Sequence, residues 1–243
     1  MISIFRKEIT VFLSSMIGYV VIAVFLLITG LFIWFFSDTS VLNYSMATMD
    51  QLFLIGPFVL LILIPATTMR SFSEEYQYGT IELLYTKPIS LWQIISGKFM
   101  ANFSLVLLAL VPTLIYVYSI YQLGSPIGNL DIGGTIGSYI GLVLLSASFT
   151  AIGMWASSMM HNQISGFLFS AFMCFMFFWG ADYISRIPSF SGGIDYTIQQ
   201  FGMKLHYDNL SRGLVRLSDV VYFITIISLG LLGCHYSLQS RKQ

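Results

Sequence analysis

The sequence predicts an all-α integral membrane protein, a bundle of six transmembrane helices, and three observations carry that prediction. Apolar residues make up 56% of 243 and charged residues only 9%, whereas a typical soluble domain carries about 25% charged residues. Mean hydropathy is +0.81. The apolar runs are also continuous, as in VVIAVFLLITGLFIWFF at residues 20–36, and lack the short alternation of barrel strands.

The elements follow in order. Residues 1–13 place Ile2, Phe5, Ile9 and Phe12 on one helical face and Arg6, Lys7, Glu8 and Thr10 elsewhere, the spacing of a helix lying in the membrane surface. Phe5, Arg6, Lys7 and Ile9 are its candidate contact residues. The apolar run that follows is too long for a signal-peptide core of about 7–15 residues, and no small-x-small cleavage site follows it. It is read as a retained span. Crossing a hydrocarbon core of about 30 Å takes about 20 mostly apolar residues. Six stretches meet that length, near residues 16–36, 50–69, 98–122, 136–158, 164–186 and 219–238.

A polar segment at residues 70–97 interrupts this pattern. Residues 71–77 extend the second span as a helix with Glu74 and Glu75 exposed, and Gly79 supplies the left-handed position at which such a helix ends. Thr80 caps a short turn, Thr80, Ile81, Glu82, Leu83 and Leu84, with Glu82 where the helix dipole favours an acid. Pro88 redirects the chain, and Ser90 with Gln93 forms a capping box that opens the next helix. The segment reads equally as a docking surface, a short element held between two helices that continue into spans, and as an ordinary capped loop.

Gly133, Gly137 and Gly141 recur every four residues into the fourth span, and Ala147 and Ala151 continue the stripe, a spacing that lets helices approach closely. Trp34, Trp155 and Trp179 near span ends read as an interfacial belt. The outer segment at residues 187–218 repeats Ile194, Ile198, Phe201 and Leu205, then Leu210, Leu214 and Leu217, with Lys204, Arg212 and Arg216 at polar positions. Two short amphipathic helices dipping into the outer leaflet are expected there, divided near Asp208.

Charge sets the orientation. Six spans put both termini on one side, and Arg6, Lys7, Arg241 and Lys242 join Arg70, Lys87 and Lys98 there, which marks that side as cytoplasmic. The opposite connections at residues 37–49 and 123–135 contain no Lys or Arg. Several chemistries are disfavoured. No HExxH or CxxC spacing exists, so no metal site is expected, and Cys174 and Cys234 read as small buried hydrophobes. Gly97 and Lys98 do not complete a phosphate-binding loop, because Trp92 stands where the motif needs glycine and Phe99 where it needs Ser or Thr. The span interiors are read as nearly free of charge, which argues against an ion or proton pathway and against an intramembrane enzyme. No catalytic residues, cofactor or nucleic-acid partner is expected in this chain.

Glu74-Glu75, Gly79-Thr80-Ile81-Glu82-Leu83-Leu84, Thr86-Lys87-Pro88-Ile89-Ser90 and Gly97-Lys98 together resemble the segment after the second span in ABC-2 type ABC transporter permeases. Further stretches resemble the gliding-motility-associated (GldF-like) branch: Tyr121-Gln122-Leu123-Gly124, Gly137-Ser138-Tyr139-Ile140-Gly141-Leu142, Ala151-Ile152-Gly153, Asn162-Gln163-Ile164 and Ser211-Arg212-Gly213. The resemblance implies six spans, an N-terminal interfacial helix, a cytoplasmic coupling helix between spans two and three, and re-entrant outer helices between spans five and six. It implies a permease in the bacterial inner membrane with both termini cytoplasmic, exporting its substrate. The implied partners are a cytoplasmic ABC ATPase dimer that binds ATP and Mg, a second permease chain of the same or a related kind, membrane lipids, and a companion with an extracytoplasmic domain. Glu74, Glu75 and Glu82 would then pair with basic groups on the ATPase, and Ile81, Leu83 and Leu84 fill an apolar groove there. The family often carries positive charge in the second cytoplasmic loop, but residues 160–163 have none, so docking through His161 or Asn162 is not expected. The alternative is a non-transporting scaffold that recruits a cytoplasmic protein through residues 70–98.

Overall fold

A computed structural model describes residues 1–37, 39–44, 47–82, 89–187 and 194–241. These described residues are helical, with no strand. In order they form α1 (Ile2–Ser14), α2 (Met16–Trp34), α3 (Val41–Tyr44), α4 (Asp50–Thr68), α5 (Ser73–Gln77), α6 (Leu91–Leu110), α7 (Leu114–Leu123), α8 (Ile132–Met159), α9 (Gln163–Phe175), α10 (Ala181–Ser185), α11 (Ile194–Gln200), α12 (Met203–Ser211) and α13 (Leu217–Ser240). A 3-10 turn, Val111–Thr113, joins α6 to α7, and a π turn, Met176–Gly180, joins α9 to α10. Among the described residues five stretches are long and apolar enough to cross a membrane, and the bent pair α1 and α2, which meet at 66°, makes up to six. The protein is a multi-pass membrane protein.

The central helix is α8, which touches α4, α6, α9, α12 and α13. Small residues make those approaches possible, as expected where lipid removes the usual hydrophobic drive between helices. A Cβ at Gly230 would lie 2.9 Å from Ala151, and one at Gly153 would lie 2.9 Å from the Ser170 hydroxyl. The glycine stripe is divided. Gly137 and Gly141 are covered by α12 and the turn after it, where Cβ atoms would meet Gly213 at 2.8 Å and Leu210 at 2.7 Å, whereas Gly133 meets only Asp131 at 3.5 Å.

The helix expected to run into the third span begins at Leu91, where the Ser90 capping box forms as expected: Gln93 N–H donates to Ser90 Oγ at 3.3 Å and Ser90 N–H to Gln93 Oε1 at 3.4 Å. Gly97 and Lys98 therefore sit two turns inside that helix. Other boundaries differ from the sequence expectation. The outer helices break at Gly202 and Gly213, not at Asp208. Gly202 packs on Ala181, and Gly213 takes a left-handed φ of +79° that only glycine adopts freely. The buried stripe of α12 is Met203, Tyr207 and Leu210, while Phe201 is exposed. Trp179 is buried among Phe58, Phe175 and Phe178 and does not belong to a lipid-facing belt.

Two prolines inside α4 need explanation, since each removes a helix donor. Pro57 cannot donate to the carbonyl of Phe53. The Tyr207 hydroxyl of α12 donates to that carbonyl instead, at 2.6 Å, which satisfies a group that lipid would leave bare. Burial pushes the Tyr207 phenol well above its ordinary range, so it remains a donor.

Candidate functional site

Two groups of polar residues stand out, at opposite ends of the bundle. The first lies where α1, α5 and α6 meet. On α1 the packed stripe is Ile4, Glu8 and Phe12, each one turn from the next, with Ile4 and Phe12 buried and Glu8 half-buried, and it faces α6. This differs from the expected face, since Ile2 is largely exposed and Glu8 lies on the packed side. Gly97 lets α1 approach: a Cβ there would lie 3.0 Å from Ile4 and 3.1 Å from the Met1 carbonyl.

Beside Gly97, Lys98 is 2% exposed. Its ammonium donates to Glu75 Oε1 at 2.8 Å and to Glu8 Oε1 at 3.0 Å, and lies over the Phe72 ring at 5.3 Å. One cation thus joins α1, α5 and the start of α6. A buried charge is held only when paired and hydrogen-bonded, and here two carboxylates supply the pairing.

The turn between α4 and α5 is fixed to the end of α8. Ser157 Oγ accepts from the Phe72 and Ser73 N–H groups, each at 3.2 Å, and donates to the Met69 carbonyl at 2.9 Å. It serves the donors at the start of α5 that have no partner within the helix. Asn102 of α6 donates to Ser71 Oγ at 3.0 Å. The connection between α8 and α9 closes the group, with His161 against the Tyr76 ring and Arg241 reaching the Met159 carbonyl. Asn162 caps α9 through Ile164 N–H.

The residues proposed to meet an ATPase are placed as follows. Glu74 forms a two-pronged pair with Arg70 at 2.9 and 3.1 Å. Glu75 is not exposed as expected but is bound to Lys98. Gly79 has a φ of +67° with open space around it. The Thr80 hydroxyl donates back to the Glu75 carbonyl at 3.5 Å, toward the preceding helix. Ile81 is buried in this chain's own core at 8% exposure, so it does not project toward a partner. Glu82 is exposed and has no ion-pair partner among the described residues. Leu83, Leu84, Thr86, Lys87 and Pro88 lie outside the described residues, as do Asp38 and Lys242. Of the interfacial candidates, Arg6 and Lys7 are exposed and Phe5 and Ile9 half-buried.

The second group lies at the α12 end. Lys204 stands 3.5 Å from Asp182 and 3.6 Å from Asp208, and Arg186 pairs with Asp182 at 3.0 Å. Partial burial pushes the Asp208 carboxyl above its usual range, with Lys204 and Arg212 pulling the other way. Asp219 is 2% exposed; its Oδ1 lies 2.6 Å from His206 Nδ1, and the ring stacks on Tyr222. Arg212 and Arg216 are exposed. Asp50, Phe53, Phe58, Trp179, Lys204 and Arg212 are among the residues around a cavity of about 600 Å³.

Among the described residues no cluster of His, Cys, Asp or Glu has the form of a metal site. Cys174 and Cys234 are free and buried. No curated protein matches this chain. The family model described as ABC-2 family transporter protein matches residues 2–183. That family is the membrane transport component of ABC transporters, and its members work with an ABC ATPase carried on a separate subunit. With three quarters of its length matched, set on a helical bundle of membrane-crossing length, this chain belongs to the ABC-2 transporter family as a permease component.

Proposed function

We propose that this chain is one half of the membrane pathway of an ATP-driven exporter in the bacterial inner membrane, in the gliding-motility branch of its family. The α1 end and both termini face the cytoplasm. Arg6, Lys7, Arg70, Lys98 and Arg241 gather at that end, and the connections at residues 37–49 and 123–135 carry no Lys or Arg. A second permease chain, the same or related, completes the pathway, and a companion with an extracytoplasmic domain joins it.

The observation that carries this reading is the Lys98 ion pair with Glu8 and Glu75. An ATPase dimer that closes on ATP presses on residues 79–82, with Glu82 as the exposed acid for a basic group on the partner. Because Lys98 ties α5 to α1 and α6, that displacement reaches the first three spans together. Gly79 leaves the contact element free to adjust its angle, while the ion pair keeps the base on which it stands rigid. ATP and Mg are bound by the partner.

The test uses the complex purified in mild detergent with its ABC ATPase and returned to lipid. Glu82→Lys is expected to reduce the permease-dependent part of ATP hydrolysis roughly tenfold or more, the loss of one charge-assisted contact turned into repulsion. The melting temperature of the bundle should not change, since Glu82 is exposed. Full stimulation by the variant removes Glu82 from the coupling contact.

A further inference from the structure

At the α12 end, Asp50 and Arg212 line both the cavity of about 600 Å³ and an adjoining one of about 220 Å³. Lys204 and Asp208 on the same wall lie within ion-pair distance of each other. Asp50 and Arg212 have no ion-pair partner among the described residues, either with each other or elsewhere. At longer range Arg212 also acts on the Asp208 carboxylate, so the cavity wall carries two acids, Asp50 and Asp208, balanced by two bases, Lys204 and Arg212. The rest of the wall includes the aromatic residues Phe53, Phe58, Phe178 and Trp179.

Phe58 also lines a second hollow, about 320 Å³ between α2 and α4, whose walls are Val24, Ile28, Phe32, Ile55, Ile62 and neighbouring apolar residues. Its exposed surface carries almost no polar atoms. Phe58 is shared by the two, so the apolar channel between α2 and α4 lies beside the charged cavity. A soluble anion would leave the Asp50 carboxylate and the channel unmatched. An anionic amphiphile would fill the channel but place its charge against Asp50 with no cation of its own.

We infer that this cavity and channel bind a zwitterionic amphiphile carrying a phosphate and a primary ammonium, its phosphate at Arg212, its ammonium at Asp50 and its acyl chain past Phe58 between α2 and α4. Both charges are matched by such a headgroup, and the aromatic wall receives the glycerol and upper chain. The pairing is charge-assisted on both sides. The inference concerns binding alone and does not depend on coupling to an ATPase.

The test is native mass spectrometry of the full chain in detergent, offered equal amounts of phosphatidylethanolamine and phosphatidylglycerol with matched acyl chains. The wild type is expected to retain the zwitterionic lipid roughly tenfold more often, the ratio that one charge-assisted contact supplies. Asp50→Asn should bring the two lipids to near parity, and Arg212→Gln should lower retention of both. Ile28→Trp, which fills the channel, should lower retention without altering the headgroup preference. Both headgroup residues are exposed, so their variants fold, and size-exclusion elution verifies this. Equal retention by the wild type, a preference untouched by Asp50→Asn, or retention untouched by Arg212→Gln overturns the inference. Complete displacement by soluble glycerophosphoethanolamine overturns the amphiphile in favour of a soluble zwitterion. Loss of a dimer peak in Ile28→Trp with lipid retention unchanged gives the channel to a second protein chain instead.

Discussion

Lys98→Met is expected to destabilise the bundle by about 3–5 kcal/mol, the cost of stranding buried charge after one partner of an ion pair is removed. The variant leaves the Glu8 and Glu75 carboxylates facing each other around an apolar side chain. Loss of heat resistance, read as the temperature at which the detergent-solubilised protein leaves its size-exclusion peak, measures it. Adding Glu8→Gln and Glu75→Gln should recover most of that loss, because a neutral site no longer pays for desolvating unpaired charge. If the recovered triple variant also loses permease-stimulated ATP hydrolysis, stability and transmission are separated. A single Lys98→Met variant as stable as the wild type contradicts the buried pairing.

Gly213→Val is the second large effect, with an expected loss of about 2–5 kcal/mol from a left-handed φ that valine resists and from backbones forced apart. A Cβ at Gly213 would lie 2.6 Å from the Cα of Gly134, a backbone atom that cannot rotate away. The turn must lift from α8. With it goes the Ser138 hydroxyl bond to the Ser211 carbonyl, 2.8 Å long, and the seat of α12. Gly79→Ala is the matched control: φ is +67° but nothing lies within 4 Å of the added Cβ, so only the conformational cost of about 1–2 kcal/mol remains. Similar melting temperatures for Gly213→Val and Gly79→Ala would show that the contact with Gly134 contributes nothing.

Helix content and the candidate spans were legible in the sequence because they depend on local patterns of length and hydropathy. The Ser90 and Gln93 capping box was legible for the same reason, its partners being three residues apart. The Lys98 pairing was not. Glu75 lies 23 positions from Lys98 and Glu8 lies 90, and the acidic residues of the polar segment looked like a solvated surface. Glu8 carried a faint signal, since it falls midway between Ile4 and Phe12 at helical spacing. Gly97 beside Lys98 resembled a fragment of a phosphate loop, but its role is to admit α1. The register of α12 escaped because Phe201 and Leu205 fit a helical face as well as Met203, Tyr207 and Leu210 do. The bond from Tyr207 to the Phe53 carbonyl, set by the missing donor of Pro57, is long-range and leaves no pattern in the chain.

The central claim is that α1, α5 and α6 move as one body when the partner ATPase binds nucleotide. Spin labels at the exposed positions Arg6 and Tyr78, and at Tyr78 and Phe201, give two distances within one chain of the assembled complex. Measured without nucleotide and with ATP trapped, the distance from Arg6 to Tyr78 is predicted to stay constant while that from Tyr78 to Phe201, across the bundle, shifts. A change between Arg6 and Tyr78 on ATP binding, with the distance to Phe201 unmoved, would contradict it.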